Sequence, residues 1–138
     1  MKRDSLDAAF SDLIREAWDW TCARCGRQFP ERKGKDVHAS HFYSRQFNST
    51  RWFVDNAVCL CATCHDYVGK HPDDHVSLIR RVLGDTRYQW LQARKRLIVR
   101  YRAADKKAMR KHYSAELERI KAMRLEGHTG LVTPVTYD

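Results

Sequence analysis

The sequence predicts an α+β protein, mostly helical, with a short two-stranded unit set between helices. Three observations predict it. Apolar residues recur at three- and four-residue steps near both ends, at Leu6, Phe10, Leu13 and Ile14 and again at Met109, Tyr113, Leu117 and Ile120, the period of one helix face. Between them, residues 37–42 and 52–60 are short segments rich in apolar and β-branched side chains, as strands are. Cys22-Ala-Arg-Cys25 and Cys61-Ala-Thr-Cys64 bracket those segments, and paired Cys-x-x-Cys knuckles are the spacing of ligands on one tetrahedral zinc. The expected organisation is a single domain over residues 1–138. A zinc-stabilised core spans 21–70, a basic helical extension 71–125 and a mobile tail 126–138.

Asp4 or Ser5 suits the cap of a first helix whose stripe continues through Ala17 and Trp18. Trp18 and Trp20, at the junction with the first knuckle, read as core residues rather than stacking platforms. Residues 21–29 form the first knuckle on a turn, with Gly26 where the backbone calls for positive φ. In the first strand, period-two alternation puts His38 and Ser40 on one face and His41 on the other. Residues 43–50 read as a polar loop and 52–60 as the second strand, with Asn56 near its turn; the second knuckle opens the next helix. Residues 71–83 form a helix, with Pro72 at its first turn, Asp73 and Asp74 facing its N-terminus and Gly84 past its end. Asp85 or Thr86 caps another helix carrying Tyr88, Trp90 and Leu91. Leu97-Ile98-Val99 has no clear assignment. A last helix spans about residues 104–125; its apolar stripe serves either intramolecular packing, the expected use, or a homodimer seam.

With 138 residues and a hydrophobic fraction of 43%, the chain can bury one modest core, helped by a metal. It has no long apolar run and no cleavage pattern after a charged start, so a soluble, cytoplasmic protein with no membrane partner is expected. An odd count of five cysteines, four of them in x-x pairs, favours thiolate–metal bonding in a reducing compartment. Cys59 is the spare and reads as a small core residue.

The net charge of +9 is one-sided. Residues 1–78 hold 11 Lys/Arg against 11 Asp/Glu, whereas residues 79–124 hold 15 against 4. Such a surplus is the footprint of a nucleic-acid binder. Arg80, Arg81, Arg87, Arg94, Lys95, Arg96, Arg100, Lys106, Lys107 and Arg110 are the expected phosphate contacts, joined by Arg45 and Arg51 from the core.

A four-thiolate zinc is coordinatively closed and holds structure only. Chemistry therefore falls to His38, His41, Asn56 and His65, which lie between or beside the knuckles. Hydrolysis of a phosphodiester needs an activated water and a cation on the developing charge, and a histidine near neutrality is a suitable base. His41 is the candidate.

Cys-x-x-Cys-Gly, then His41-Phe42, then Arg51 five residues before Asn56, then the second Cys-x-x-Cys, resembles the NinG/Rap recombination nucleases of lambdoid phages, members of the HNH (ββα-metal) endonucleases. The similarity covers about residues 13–124. It implies a ββα-metal core and catalytic roles for His41, Asn56 and His65: His41 as general base, Asn56 orienting that histidine and the inter-strand loop, and His65 as third member of the triad and a ligand of a catalytic divalent metal, Mg2+ or Mn2+. His38 shares a strand face with Ser40 and is a second ligand candidate. Branched DNA such as Holliday junctions or flaps is the implied substrate, and a phage or prophage the implied source. Two positions depart from the pattern: Ser40 stands where many HNH enzymes have an acidic ligand, and His65 where the phage proteins have Asn. His71 and His75 read as helix-surface residues, and His112 and His128 carry no role. A non-catalytic zinc-binding DNA module would account for charge and cysteines, but not for the His41, Asn56 and His65 set. A zinc-held interaction protein would leave the positive charge unexplained.

Overall fold

The computed structural model describes residues 2–138. It is α+β and mostly helical, with six α-helices and one two-stranded sheet among the described residues. Helix α1 (Ser5–Ala17) starts at Asp4, whose carboxylate accepts from the Asp7 amide while Asp7 accepts from the Asp4 amide, a reciprocal cap that satisfies two orphan donors. The stripe of Leu6, Phe10, Leu13, Ile14 and Ala17 is buried. The first knuckle follows, closed by a bridge between Thr21 and Gln28, with Gly26 at φ +78°.

Strand β1 (Val37–His41) then leads through the short helix α2 (Asn48–Arg51) and one 3-10 turn (Val54–Asn56) to β2 (Ala57–Cys61). The strands pair antiparallel, Val37 opposite Cys61 and His41 opposite Ala57. Two expectations are corrected here. The second strand begins at Ala57 rather than residue 52, because Trp52 is anchored from both sides: its indole donates to Asp7 at 3.0 Å and its carbonyl accepts from the Tyr113 hydroxyl. The loop expected over residues 43–50 also contains most of α2.

Helix α3 (Ala62–Lys70) follows β2 directly, its first turn capped by the Cys61 sulfur. Helix α4 (Pro72–Leu83) ends at Gly84, φ +78°, and α5 (Asp85–Lys95) starts at once. An irregular stretch leads to α6 (Ala103–Leu125), which packs along α1. Of the apolar residues expected on α5, only Leu91 is buried, and Trp90 is 67% exposed.

Every residue of β2 is buried, and two apolar clusters meet at this strand. In one, α1 packs on Trp52, Val54, Ala57 and the α6 residues Met109, Tyr113 and Ile120. The α6 stripe thus packs within the chain. The other surrounds the knuckles with Val58, Leu60, Val68, Leu78, Ile79, Leu83 and Leu91. Trp18 packs against both. Cys59 is wholly buried, and burial first, then the nearby Cys22 thiol, pushes its own thiol up to about 12, as the reading of an inert core residue requires.

The tail expected to be mobile is instead a docked strap. Val132 donates to the Ala17 carbonyl at 2.9 Å, Gly130 to Asp19 at 2.9 Å, Val135 to Glu116 at 2.9 Å and Tyr137 to the Tyr113 hydroxyl at 3.1 Å. Its amides find acceptors that the seam between α1 and α6 leaves over. No helix among the described residues is long and apolar enough to cross a membrane.

Candidate metal centre and active site

The sulfur atoms of Cys22, Cys25, Cys61 and Cys64 all lie within 4.8 Å of one another, and those of Cys25 and Cys61 are 3.9 Å apart. Tetrahedral thiolates at a Zn–S length of about 2.3 Å stand about 3.8 Å apart, so the quartet fits a structural metal ion such as zinc. The Cys64 amide donates to the Cys61 sulfur at 3.4 Å and the Arg24 guanidinium to the Cys64 sulfur at 3.5 Å, contacts that orient and partly neutralise the ligands. Among the described residues no other group of three or more metal-ligating side chains comes together.

A cavity of about 560 Å³ is lined by His38, His41 and His65. The two faces of the sheet explain how residues on opposite sides of β1 reach it. His38 meets His65 on α3, their Nδ1 atoms 2.8 Å apart, whereas His41 packs toward Phe10 on α1, ring centres 5.9 Å apart. The cavity is thus lined from both faces of β1, by His38 with His65 and by His41. A second cavity of about 390 Å³, beside the first knuckle, holds none of these histidines.

His41 Nε2 is 2.9 Å from the Arg51 carbonyl. A carbonyl only accepts, so Nε2 carries the proton and Nδ1 keeps the free lone pair of the neutral ring. Burial lowers the His41 pKa below its ordinary value; the Arg51 carbonyl opposes this, and the Arg45 charge adds to it. His65 is lowered too, by burial and then by His38.

Asn56 is wholly buried, and its side-chain hydrogen bonds go to the loop rather than to His41. Its side-chain oxygen accepts from the Tyr43 amide at 2.9 Å, and its amide group donates to the carbonyls of Tyr43 and Thr50 at 3.0 Å each. It clamps both ends of the inter-strand loop. The Arg51 carbonyl therefore holds the histidine, one residue beyond the clamp.

Arg51, expected on the DNA surface, is corrected: it is 7% exposed and lies behind the site. Its guanidinium meets Asp7 through Nε at 2.9 Å and Nη2 at 2.5 Å. A buried guanidinium requires such pairing, and this pairing fixes the residue whose carbonyl holds His41. His75 is also corrected, being half-buried against Phe42 with its Nε2 unpartnered, its pKa lowered by burial and then by His65.

Sequence reasoning missed the cavity wall that α1 contributes. Arg3, Asp7, Ser11 and Arg15 all line it. Asp7, Ser11 and Arg15, four residues apart, form a single row on α1, with Arg3 just ahead of the helix, and Asp7 and Ser11 are buried polar residues. That polar row beside the apolar stripe was the available signal. Arg15 pairs with Asp12 at 2.5 Å, and its buried Nε has no hydrogen-bond partner. Arg45 also lines the cavity.

The remaining expected DNA contacts divide in two. Arg80 pairs with Asp85, Arg87 with Asp55 and Lys106 with Asp4; Arg81 donates to the Ala23 carbonyl and Arg94 to that of Ser49. Lys95 lies 4.5 Å over the Phe47 ring. Arg96, Arg100, Lys107 and Arg110 are exposed, and no ion pair holds them among the described residues. Set against known proteins, the chain matches no family model, no curated protein and no solved structure.

Proposed function

We propose that this chain is a divalent-metal-dependent DNA endonuclease of the HNH class, acting on branched DNA. The observation that carries the reading is the convergence of His38, His41 and His65 on one cavity walled by Arg3, Arg15 and Arg45. The β1–β2–α3 order with a closed cysteine quartet beside it supports the same reading.

In this reading His41 accepts a proton from water at Nδ1, its Nε2–H held by the Arg51 carbonyl. Arg15 and Arg45, which line the cavity, hold the scissile phosphate in line. Asn56 keeps the loop from shifting the Arg51 carbonyl. His38 and His65 would hold the catalytic cation, since their Nδ1 atoms already converge to 2.8 Å. When bound, such a cation stabilises charge on the phosphoryl oxygens and the leaving group. Two imidazole donors suit a first-row transition ion such as Mn2+ better than the oxygen-seeking Mg2+.

Cleavage of labelled linear, flap and four-way-junction DNA with Mn2+ or Mg2+ tests the proposal. The zinc-loaded chain is expected to cut with Mn2+ best, and His41→Ala to bind equally while losing ~10²–10⁴-fold in rate. Binding without cleavage under every metal would leave a non-catalytic zinc-binding DNA module.

A further inference from the structure

Between α5 and α6 the chain presents two apolar side chains to solvent: Leu97 is 57% exposed and Ile98 is 95% exposed. Both ends of this tip are tied down. Ser49 Oγ donates to the Lys95 carbonyl at 3.2 Å, Asn48 Nδ2 to the Val99 carbonyl at 3.4 Å, and Arg94 Nε to the Ser49 carbonyl at 2.7 Å. The tip is thus held outward by its own scaffold. Exposed Arg96 and Arg100 flank it within two residues on either side.

The tether leads to the proposed active site. Asn48 and Ser49, which hold the tip, stand on the same four-residue helix as Arg51, whose carbonyl holds His41. Three residues of helix rise only about 4.5 Å. An apolar point between cations fits a polyanion with an apolar interior, which is stacked bases behind phosphates. A two-residue tip on a loop lacks the long apolar face with which an amphipathic helix lies on a bilayer.

We infer that the Leu97-Ile98 tip is a wedge that enters between neighbouring bases of DNA, with Arg96 and Arg100 on the phosphates at either side. The wedge is held by the same short helix whose Arg51 carbonyl holds His41. This rests on the reading that the chain binds DNA, but not on cleavage.

The test uses the full zinc-loaded chain, without added divalent metal, on duplex and four-way-junction DNA carrying 2-aminopurine, whose fluorescence rises on unstacking. The wild type is expected to raise it on saturation. Ile98→Ala is expected to lose most of that rise and bind roughly tenfold more weakly, with unchanged melting temperature and an unchanged dependence of affinity on salt. Ile98→Leu should retain the rise. A wild-type rise kept in full by Ile98→Ala overturns the wedge, as does wild-type binding with no rise. Loss of binding to anionic lipid vesicles in Ile98→Ala, with its DNA response intact, also overturns it and gives the tip to a membrane surface. Binding and cleavage without a rise would sink the wedge alone; a wedge-dependent rise without cleavage under any metal would sink the nuclease alone. No DNA binding sinks both.

Discussion

At His41 a backbone carbonyl, rather than a side chain, sets the tautomer, and burial sets the pKa. Because the pKa lies below the ordinary 6.5, the neutral base persists into mildly acid solution. The acid limb of kcat/KM should therefore have its midpoint below pH 6.5, with activity falling as pH drops through it and level near pH 7. A midpoint above 6.5 in a pH–rate profile would count against His41 as the base. Asp7 acts one step further back. Its carboxylate meets the buried Arg51 guanidinium and the Trp52 indole, so Asp7→Ala removes the carboxylate that pairs with a buried charge. The expected cost is about 3–5 kcal/mol in denaturant unfolding. Cleavage should fall with it, measured well below the melting transition, because the Arg51 carbonyl loses its support. Arg51→Lys, which keeps the charge but not the forked geometry, should lose stability as well, by less than Asp7→Ala.

At the scale of elements, each knuckle is a short turn with little apolar surface, and neither is a stable unit alone. The first rests on one bridge and Gly26, the second on the first turn of α3. A metal shared by the four sulfurs would join them, so its binding free energy would also be folding free energy. Cys25→Ser should lose stoichiometric zinc in metal analysis and lose its cooperative thermal transition. Cys59→Ala should keep one zinc per chain, since Cys59 pairs with Ala39 in the ladder and lies outside the quartet. Retained zinc and melting temperature in Cys25→Ser would overturn the ligand assignment. α1 has a double role at this scale: one side buries the apolar stripe, and the row of Asp7, Ser11 and Arg15 walls the cavity.

Across the whole molecule, the positive charge of the C-terminal half is partly spent on the fold. Arg80, Arg87 and Lys106 are held by Asp85, Asp55 and Asp4, whereas Arg96, Arg100, Lys107 and Arg110 are exposed without ion pairs among the described residues. On duplex DNA the logarithm of affinity falls with the logarithm of salt by about 0.9 per neutralised phosphate. Replacing Arg96, Arg100, Lys107 and Arg110 with Ala should flatten that slope and weaken all sequences alike. Replacing Arg80 and Arg87 should change it less, because their carboxylate partners already offset them. Equal slopes for both variants and the wild type, in a salt titration, would move the DNA surface elsewhere.

The sequence by itself determined the features that depend on local spacing. Knuckle pairs, helical stripes, the Asp4 cap and Gly84 stop are set by neighbours a few residues apart, and each is legible for that reason. The tertiary structure alone decided what depends on residues far apart in the chain. It joined His38 to His65 and brought His41 to the same cavity, buried Arg51 on Asp7 and docked the tail in the seam between α1 and α6. The tail is the clearest case: its polar residues read as mobile because their partners lie on helices more than 15 residues away, and hydrogen bonds over such separations leave no periodicity in the sequence.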